Sequence, residues 1–331
     1  MSTPNAPVAD EKAASRGNPF RSLNFSGRFW IALVLVVGVI LLGLAGYVYP
    51  TGPGEKVASL YDPPGAGLPL GSDNFGHDVL AVLMAGTRTS LIIGLVAGIV
   101  ATVIGVIVGL VAGYIGGWFE ELLMGATNVV LAIPSIIVLI LISISLPQSS
   151  IWSLAIVIGI TSWPWTARAV RAQASSVATR EHIDVARLSG ARLPAILLKD
   201  VLPYILSYTV MAFVLQVAGA ILAEAALSML GLGPSGADSL GTQLHWALAF
   251  QAVASGAWWA FLPPTIVLTL VSFGFLLLQA SLDEVFNPRL RRGKRKQMKQ
   301  AAARRAEEAR LLAEQPFPAD APEPTRAGEH A

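Results

Sequence analysis

Residues 180–190 hold the stretch that organises this chain, and they read Arg180-Glu181-His182-Ile183-Asp184-Val185-Ala186-Arg187-Leu188-Ser189-Gly190. Thr179 is a candidate N-cap, and the Glu181 carboxylate falls in the first turn, near the positive end of a helix. We expect this helix to run to about Ser189, because Gly190 suits the left-handed conformation at which many helices end. The stretch therefore predicts a short charged helix with a defined stop.

A second short helix is predicted to follow, starting with Pro194 in its first turn and stopping at Leu202, ahead of Pro203. In the first helix a small apolar surface lies among charged residues, with Ile183, Val185 and Ala186 beside Arg180, Asp184 and Arg187. Such a surface is typical of a protein-docking element. An amphipathic loop resting on lipid headgroups has the same pattern, and the residues alone leave both interpretations open.

The composition places these helices in a membrane protein. Of 331 residues 54% are hydrophobic and 13% are charged, and the mean hydropathy is +0.61. A soluble domain is less apolar than this. The chain contains no cysteine, which excludes disulfides and thiolate sites.

Six segments have the roughly 20 mostly apolar residues that a bilayer-spanning helix needs. The fold class is therefore an all-α polytopic membrane protein with six transmembrane helices, the first read as an uncleaved anchor. The predicted spans are Phe29–Tyr49, Thr89–Gly113, Leu122–Leu146, Ile151–Ala167, Tyr204–Leu230 and Trp259–Leu282. Between the first two spans, residues 78–87 are expected to form a short helix lying at the outer surface.

The positions of Lys and Arg predict the orientation, since these residues stay on the cytoplasmic side. With both termini on one side, that side holds 21 of the 23 Lys and Arg residues, and only Lys56 and Arg88 fall outside. Both termini and the 180–190 stretch are therefore predicted to be cytoplasmic. The segment 231–256 is the second outer connection, and it contains no Lys or Arg.

These boundaries divide the chain into five parts. They are a cytoplasmic N-terminal tail (1–28), the first transmembrane helix (29–49), an extracytoplasmic segment (50–88), a five-helix core (89–283) with a loop at 171–203, and a basic cytoplasmic tail (284–331), expected to be disordered. The basic tail is read as a topology and headgroup signal, with nucleic-acid binding as the alternative.

Glycines in the second span share one helix face, and they are Gly94, Gly98, Gly105, Gly109 and Gly113. A smooth face of this kind predicts close packing against another helix, with a glycine-lined pore as the functional alternative. Pro134 and Pro164 each remove a backbone hydrogen bond and should kink the third and fourth spans.

Glu224 is the one ionisable candidate inside the predicted spans. Ion-coupled carriers generally need such residues to bind the coupling ion, and a single carboxylate is weak support for that class. Two roles stay open for Glu224: hydrogen bonding to neighbouring helices, or a gate or pathway position. The outer segment near Trp246 and Trp258 is a candidate for the same gate or for a contact with a partner protein.

The sequence offers no recognisable catalytic centre. It has no phosphate-binding loop, because Gly293-Lys294 lacks the earlier glycine and the Ser or Thr. The four histidines show no metal-ligand spacing, and there is no nucleophile elbow. We therefore expect no catalytic residue, no cofactor and no metal ligand.

At the opening stretch the sequence resembles the permeases of ATP-binding cassette (ABC) importers. Their cytoplasmic motif reads Glu-Ala-Ala, three residues, Gly, nine residues, then Ile-x-Leu-Pro. Here Asp184-Val185-Ala186 is followed by Gly190 and by Leu202-Pro203. Asp replaces Glu with its charge kept, Val replaces Ala, and Asp200 stands where the family usually has Ile.

Further segments are similar to the second permease subunit of dipeptide, oligopeptide and nickel importers. Residues 71–80 resemble its Gly-Thr-Asp-x-x-Gly-Arg-Asp stretch, with His77 in place of Arg. The other matching segments are 113–118, 131–135, 223–233 and Asn287-Pro288-Arg289. The resemblance runs in order from about Arg21 to Arg291.

The resemblance implies a type I ABC importer permease fold with cytoplasmic coupling helices. It also implies a homologous second permease, two cytoplasmic ATP-binding subunits and an extracytoplasmic solute-binding protein as partners, in a prokaryotic inner membrane and in contact with lipid but not with nucleic acid. The implied ATPase-docking residues are Glu181, Asp184, Val185, Ala186, Arg187, Leu188, Ser189 and Gly190.

The expected function is that of a non-catalytic permease subunit for peptides or similar solutes. Within the family the alternatives are import of oligosaccharides or of nickel and other metal chelates. The rival from another class is an ion-coupled carrier that works alone, and a purely structural scaffold is the third possibility.

Overall fold

The computed structural model of the protein describes residues 26–145, 150–286 and 307. In these ranges the chain is helical, and β-structure is limited to isolated bridges such as the one between Lys56 and His77. The helices are α1 Gly27–Ala45, α2 Val79–Ile115, α3 Gly117–Ala132, α4 Ser135–Ser145, α5 Ile151–Ala178, α6 Glu181–Leu188, α7 Leu193–Ala195, α8 Leu202–Met229, α9 Leu240–Ala249 and α10 Trp258–Phe286. A π-helical segment, Ile196–Val201, joins α7 to α8.

Apart from Phe286 and Glu307, the described residues belong to one compact unit, which ends at Val285. Most of both predicted cytoplasmic tails, and the Asn287-Pro288-Arg289 match, lie outside the described residues.

Four helices are long and apolar enough to cross a membrane, and the count rises to five if the bent pair α3 and α4 is one span. The predicted count of six is thus matched only approximately. The predicted span that this count leaves out is the fourth, which corresponds to α5. This helix is 28 residues long, which is sufficient to cross a bilayer at about 1.5 Å per residue. Its Ser, Thr, Trp, Pro and Arg residues make it less apolar than the other spans.

Helix α2 is a single helix of 37 residues that begins directly after Asp78. The Asp78 carboxylate caps it by accepting a hydrogen bond of 2.8 Å from the Leu80 backbone N–H. The prediction of a separate surface helix over residues 78–87 is wrong, because this part is the buried start of α2. It is covered by α9, from which the Gln243 side-chain amide donates to the Val82 carbonyl at 2.9 Å.

The predicted glycine face of α2 is a packing face. A Cβ added at Gly98 would lie 2.7 Å from the Val217 side chain of α8, and one at Gly109 would lie 2.6 Å from the Ala167 carbonyl of α5. Separations below 3.0 Å leave no room for a side chain. Close packing is therefore confirmed for these helices, in preference to a glycine-lined pore.

Pro134 breaks the third predicted span into α3 and α4, which are bent by 79°. The cause is local: Ile133, the residue before this proline, has the extended conformation φ −93°, ψ 127°, as the proline ring favours. Pro164 has a milder effect, since α5 continues through it.

The second short helix does not stop at Leu202, and this prediction is wrong. Residues Leu193–Met229 form one continuous helical run of 37 residues. The π-helical segment widens the backbone hydrogen-bonding pattern just before Pro203, which then occupies the first turn of α8. A proline is tolerated there because first-turn N–H groups have no partner within the helix.

The Pro- and Gly-rich segment between α1 and α2 is ordered but irregular. The Tyr49 hydroxyl donates to the Asp78 carboxylate at 2.8 Å, and burial together with this carboxylate raises the pKa of Tyr49 to about 12. The Trp259 indole N–H donates to the Ser72 carbonyl at 3.0 Å and so joins the segment to α10. Gly76, at φ +84°, has no room for a side chain, because a Cβ would lie 2.4 Å from the Ala58 carbonyl.

Candidate functional site

The predicted docking stretch forms helix α6, and its start differs from the prediction. The N-cap is Arg180 and makes no side-chain cap hydrogen bond, while Thr179 ends α5. The reason is that α5 extends to Ala178 and includes Arg171, so the predicted loop is shorter at its start. Two acidic residues, Glu181 and Asp184, occupy the first turn of α6, where they interact favourably with the helix dipole.

The end of α6 agrees with the sequence interpretation. Gly190 has φ +75°. Its N–H donates to the Arg187 carbonyl at 3.0 Å, and the Ala191 N–H donates to the Ala186 carbonyl at 3.2 Å. These two bonds form a Schellman motif, which satisfies carbonyls that the helix leaves free. Ser189 is the C-cap, and its hydroxyl donates to the Val185 carbonyl at 2.8 Å.

One residue of α6 anchors it to the rest of the chain. The Ile183 side chain has 0% exposure and packs in a cluster of buried residues that includes Leu110 of α2, Val170 of α5 and Ile205 of α8. Ala186 is partly buried against the same cluster. The predicted apolar docking surface therefore needs correction, because Ile183 belongs to the protein's own core.

The outer face of α6 carries the remaining apolar residues. Val185 is 63% exposed and Leu188 is 89% exposed. The acidic side chains of Glu181 and Asp184 are exposed on the same helix. We call Val185, Leu188 and these two carboxylates the outer face of α6. A short helix with two exposed apolar side chains is suited to a partner's groove.

Arg187 and His182 fix the two ends of α6 to neighbouring helices. The Arg187 guanidinium donates to the Tyr114 hydroxyl at 2.9 Å and lies 3.4 Å from the Asp184 carboxylate. The bond with Tyr114 raises the pKa of Arg187. The His182 ring stacks on Tyr204 at 4.6 Å between centroids. Helix α6 is thus attached to both α2 and α8.

Glu224 lies far from α6 and is fully buried. Its carboxylate accepts hydrogen bonds from the Ser90 hydroxyl at 2.9 Å and from the Ser228 hydroxyl at 2.6 Å. The Ser90 hydroxyl in turn accepts from the Leu240 backbone N–H at 3.1 Å. The carboxylate therefore links α2, α8 and the start of α9. Ser90 and Leu240 were not predicted as its neighbours, and no local sequence signal connects residues so far apart.

A cavity of about 90 Å³ lies between the irregular segment that precedes α2 and helix α9. Asp73 and Asp238 line it together with Trp246, and the His77 ring lies 3.3 Å from the Asp73 carboxylate. Burial raises the pKa of Asp238, the Asp73 charge adds to this, and His77 opposes it. Trp246, from the segment that is a candidate gate or partner contact, belongs to this cavity, and Trp258 packs against Trp259 at the start of α10.

A charged cluster between α3 and α5 was missed from the sequence. The Arg171 guanidinium binds the Glu120 carboxylate, and Arg168 donates to the Asn128 side-chain carbonyl at 2.7 Å. These groups border a cavity of about 400 Å³. In the sequence, both arginines had counted only as topology charges. Among the residues that the structure describes, no group of three His, Cys, Asp or Glu residues could hold a metal ion.

The chain is similar to known permease components of transport systems. Residues 105–292 match the family described as "Binding-protein-dependent transport system inner membrane component". A Brucella suis protein named "Putative peptide transport system permease protein" is 34% identical over 269 residues, which cover 80% of this chain and 88% of that protein. A "Putative peptide permease protein" of Brucella ovis is 34% identical over 66% of this chain and 72% of its own length. The "Oligopeptide transport system permease protein OppC" of Lactococcus lactis is 31% identical over 66% of this chain and 75% of its own length.

Proposed function

This chain belongs to the family of binding-protein-dependent transport system inner membrane components, and from that premise we propose that it is the permease subunit of an ATP-driven peptide importer. It is a multi-pass membrane protein of the transport-permease class. This chain forms half of the translocation path. ATP hydrolysis takes place in separate subunits, so this chain performs no catalysis itself.

The observation that carries the proposal is the division of α6 into an anchored face and a free face. Ile183 is buried in the core, whereas Val185 and Leu188 are exposed at 63% and 89%. A loop that merely rested on headgroups would not need Ile183 to tie it to α2, α5 and α8. The anchored helix suits the transmission of a force from a partner to three membrane helices at once.

Membership of the family supports the following set of partners. A homologous permease completes the path, an ATP-binding subunit receives the outer face of α6 in a groove, and an extracytoplasmic binding protein delivers the solute. When ATP binds, the two ATP-binding subunits close on each other. This closure moves α6 of this chain and its counterpart in the second permease together, and it opens the path outward. Hydrolysis then returns it inward, which is alternating access biased by differential contacts in two states.

Peptides are the proposed substrate class because the names of the similar Brucella and Lactococcus proteins refer to peptide transport. Oligosaccharides and metal chelates are the alternatives within the family. The outer cavity beside Trp246 is the proposed region of contact with the binding protein, and Glu224 is retained as a candidate pathway residue. The orientation that puts α6 and both termini in the cytoplasm rests on the Lys and Arg distribution.

The proposal is tested by reconstituting the purified complex in vesicles and measuring ATP-dependent uptake of a labelled dipeptide. Gly190→Asp puts a carboxylate at the negative end of α6, and Asp184→Lys reverses a charge on its outer face. Both variants should insert normally and lose uptake, and Gly190→Asn is the uncharged control.

Full uptake and ATPase association in both charged variants would remove the docking assignment. The rival carrier class makes the opposite prediction for the chain without its partners. If the purified chain alone transported peptide on a proton or sodium gradient, the ATP-driven proposal would be wrong.

A further inference from the structure

A groove between four of the helices combines apolar walls with one cation. It measures about 370 Å³ and lies where α1, α2, α8 and α10 meet, within the range of about 300–1,000 Å³ that ligand pockets occupy. Its walls are Ile40, Leu44, Leu91, Leu95, Val217 and Phe275, and Arg88 is the charged residue in its lining.

Arg88 has no anionic partner among the described residues. No carboxylate there lies within ion-pair distance, and its guanidinium stacks on the Tyr47 ring, whose centroid is 4.3 Å from the guanidinium carbon. A cation in a membrane helix is costly unless it is paired with another group. Stacking on an aromatic face leaves the edges of a guanidinium, with their N–H donors, available to an anion.

The depth of Arg88 suits a lipid headgroup. Helix α1 ends at Ala45, and Tyr47 follows directly and is 70% exposed. Tyrosine is enriched at the membrane–water interface. Gly43 fixes the level of Arg88 against this end of α1, since a Cβ there would lie 3.3 Å from the Arg88 backbone nitrogen. The guanidinium therefore lies near the end of α1, with the apolar groove below it.

We propose that this groove binds one phospholipid, with its phosphate on the Arg88 guanidinium and an acyl chain along the walls formed by Leu44, Leu91 and Leu95. Arginine matches phosphate geometry through two parallel N–H bonds. A free phosphate ion would satisfy Arg88 and leave the apolar walls uncovered, so a lipid fits both parts. The site is independent of the transported solute and of α6.

For the test, the full chain is reconstituted in vesicles of phosphatidylethanolamine and phosphatidylglycerol. It is then released into a mild detergent and purified. Native mass spectrometry then measures the fraction of chains that retain one phospholipid. Arg88→Gln should lower phospholipid affinity about tenfold, because a charge-assisted bond is lost. Phospholipid retention by Arg88→Lys should lie between that of the wild type and that of Arg88→Gln. Lys56→Gln, which removes a charge from the irregular segment before α2, should match the wild type.

A second variant protects the test against misfolding of Arg88→Gln. Leu95→Trp fills the groove from a half-exposed position, leaves Arg88 in place and should also reduce retention. Equal retention in wild type and Arg88→Gln would overturn the proposal, and so would displacement of the lipid by millimolar inorganic phosphate, which indicates a simple anion site. Because the chain has no cysteine, Leu95→Cys can also be crosslinked in the assembled complex. Efficient crosslinking to the second permease would identify the groove as a subunit interface and equally overturn the proposal.

Discussion

At the scale of single residues, neighbours on α6 have opposite environments. Ile183 is completely buried and Val185, two positions later, is 63% exposed. Each position on a helix is rotated by about 100° from the one before, so residues two positions apart are separated by about 200°. Ile183 and Val185 therefore lie on opposite faces although their chemistry is similar. The motif marks the whole stretch without showing which of its apolar residues remain free for a partner.

This difference gives a first prediction. Val185→Asp and Leu188→Asp should reduce ATP-dependent uptake more than tenfold and weaken co-purification of the ATP-binding subunit, because a charge replaces an apolar contact. The amount of folded permease in the membrane should stay unchanged. Gln173→Glu, an added negative charge on the exposed surface at the end of α5, is the control and should transport normally.

Ile183→Asp should behave differently, since it places an unpaired charge in the core, and the chain should fail to accumulate. The docking assignment fails if Val185→Asp and Leu188→Asp keep wild-type uptake. It also fails if they lower folded protein as strongly as Ile183→Asp does.

Glu224 gives a second prediction at this scale. Glu224→Gln keeps the side chain's size but removes one of the two oxygen acceptors that Ser90 and Ser228 use. We expect a loss of stability of about 1–3 kcal/mol, measured as a lower thermal unfolding midpoint of the purified chain. Ser90→Ala should also destabilise the chain, by about 1–3 kcal/mol, because it removes the bond to Glu224 and the acceptor of the Leu240 backbone N–H.

A pathway role for Glu224 predicts more than this. Uptake kinetics of the folded Glu224→Gln protein would change, while Ser90→Ala would leave the KM for the peptide unaffected. An unchanged KM in both variants, together with reduced stability, would assign Glu224 to helix packing alone.

At the scale of elements, α2 organises the described fold. Its glycines meet α5 over one half of its length and α8 over the other, and its first turns are covered by α9. In a membrane the hydrophobic effect does not drive helices together. Van der Waals packing between closely approaching backbones is therefore a main source of attraction. The positions of the small residues in α2 therefore indicate where neighbouring helices pack against it.

The third prediction concerns this packing. Gly109→Val should destabilise the chain by several kcal/mol, because its Cβ would lie 2.6 Å from the Ala167 backbone carbonyl of α5. The loss is measured by the yield and the thermal midpoint of the purified protein. Gly125→Val in α3 is the matched control, since nothing lies within 4 Å of a Cβ at that position. Similar losses in both variants would contradict a specific α2–α5 contact.

At the scale of the whole molecule, topology rests on charge distribution, with 21 of 23 Lys and Arg residues on the predicted cytoplasmic side. Because the chain lacks cysteine, single cysteines can report this directly, and here lies a fourth prediction. Gln173→Cys should be protected from a membrane-impermeant thiol reagent in intact cells, whereas Gly54→Cys should be labelled.

Both cysteines should react after the membrane is permeabilised, which serves as the control for accessibility. The reverse labelling pattern would place α6 outside, where no ATP-binding subunit could reach it. The proposed function would then lose its energy source.

Several features could be predicted from sequence because they depend on local chemistry. Apolar content, the glycine face of α2, the break at Pro134 and the left-handed Gly190 follow from hydropathy, side-chain size and backbone sterics. The predicted spans overlap the observed long helices, with errors mainly at their ends. The α2 start and the continuity of Leu193–Met229 were missed because tertiary covering and a π-helical segment override local stop signals.

The sequence by itself determined that this is a helical membrane protein of a transport family, since composition and motif order carry that information along the chain. Only the tertiary structure decided which residues of each motif face inward. Ile183 anchors α6 and Val185 does not, Glu224 meets a serine 134 positions earlier, and Arg88 borders an apolar groove. The physical reason is that burial and pairing depend on segments distant in sequence, and only the packing of α2 against its neighbours brings these segments together.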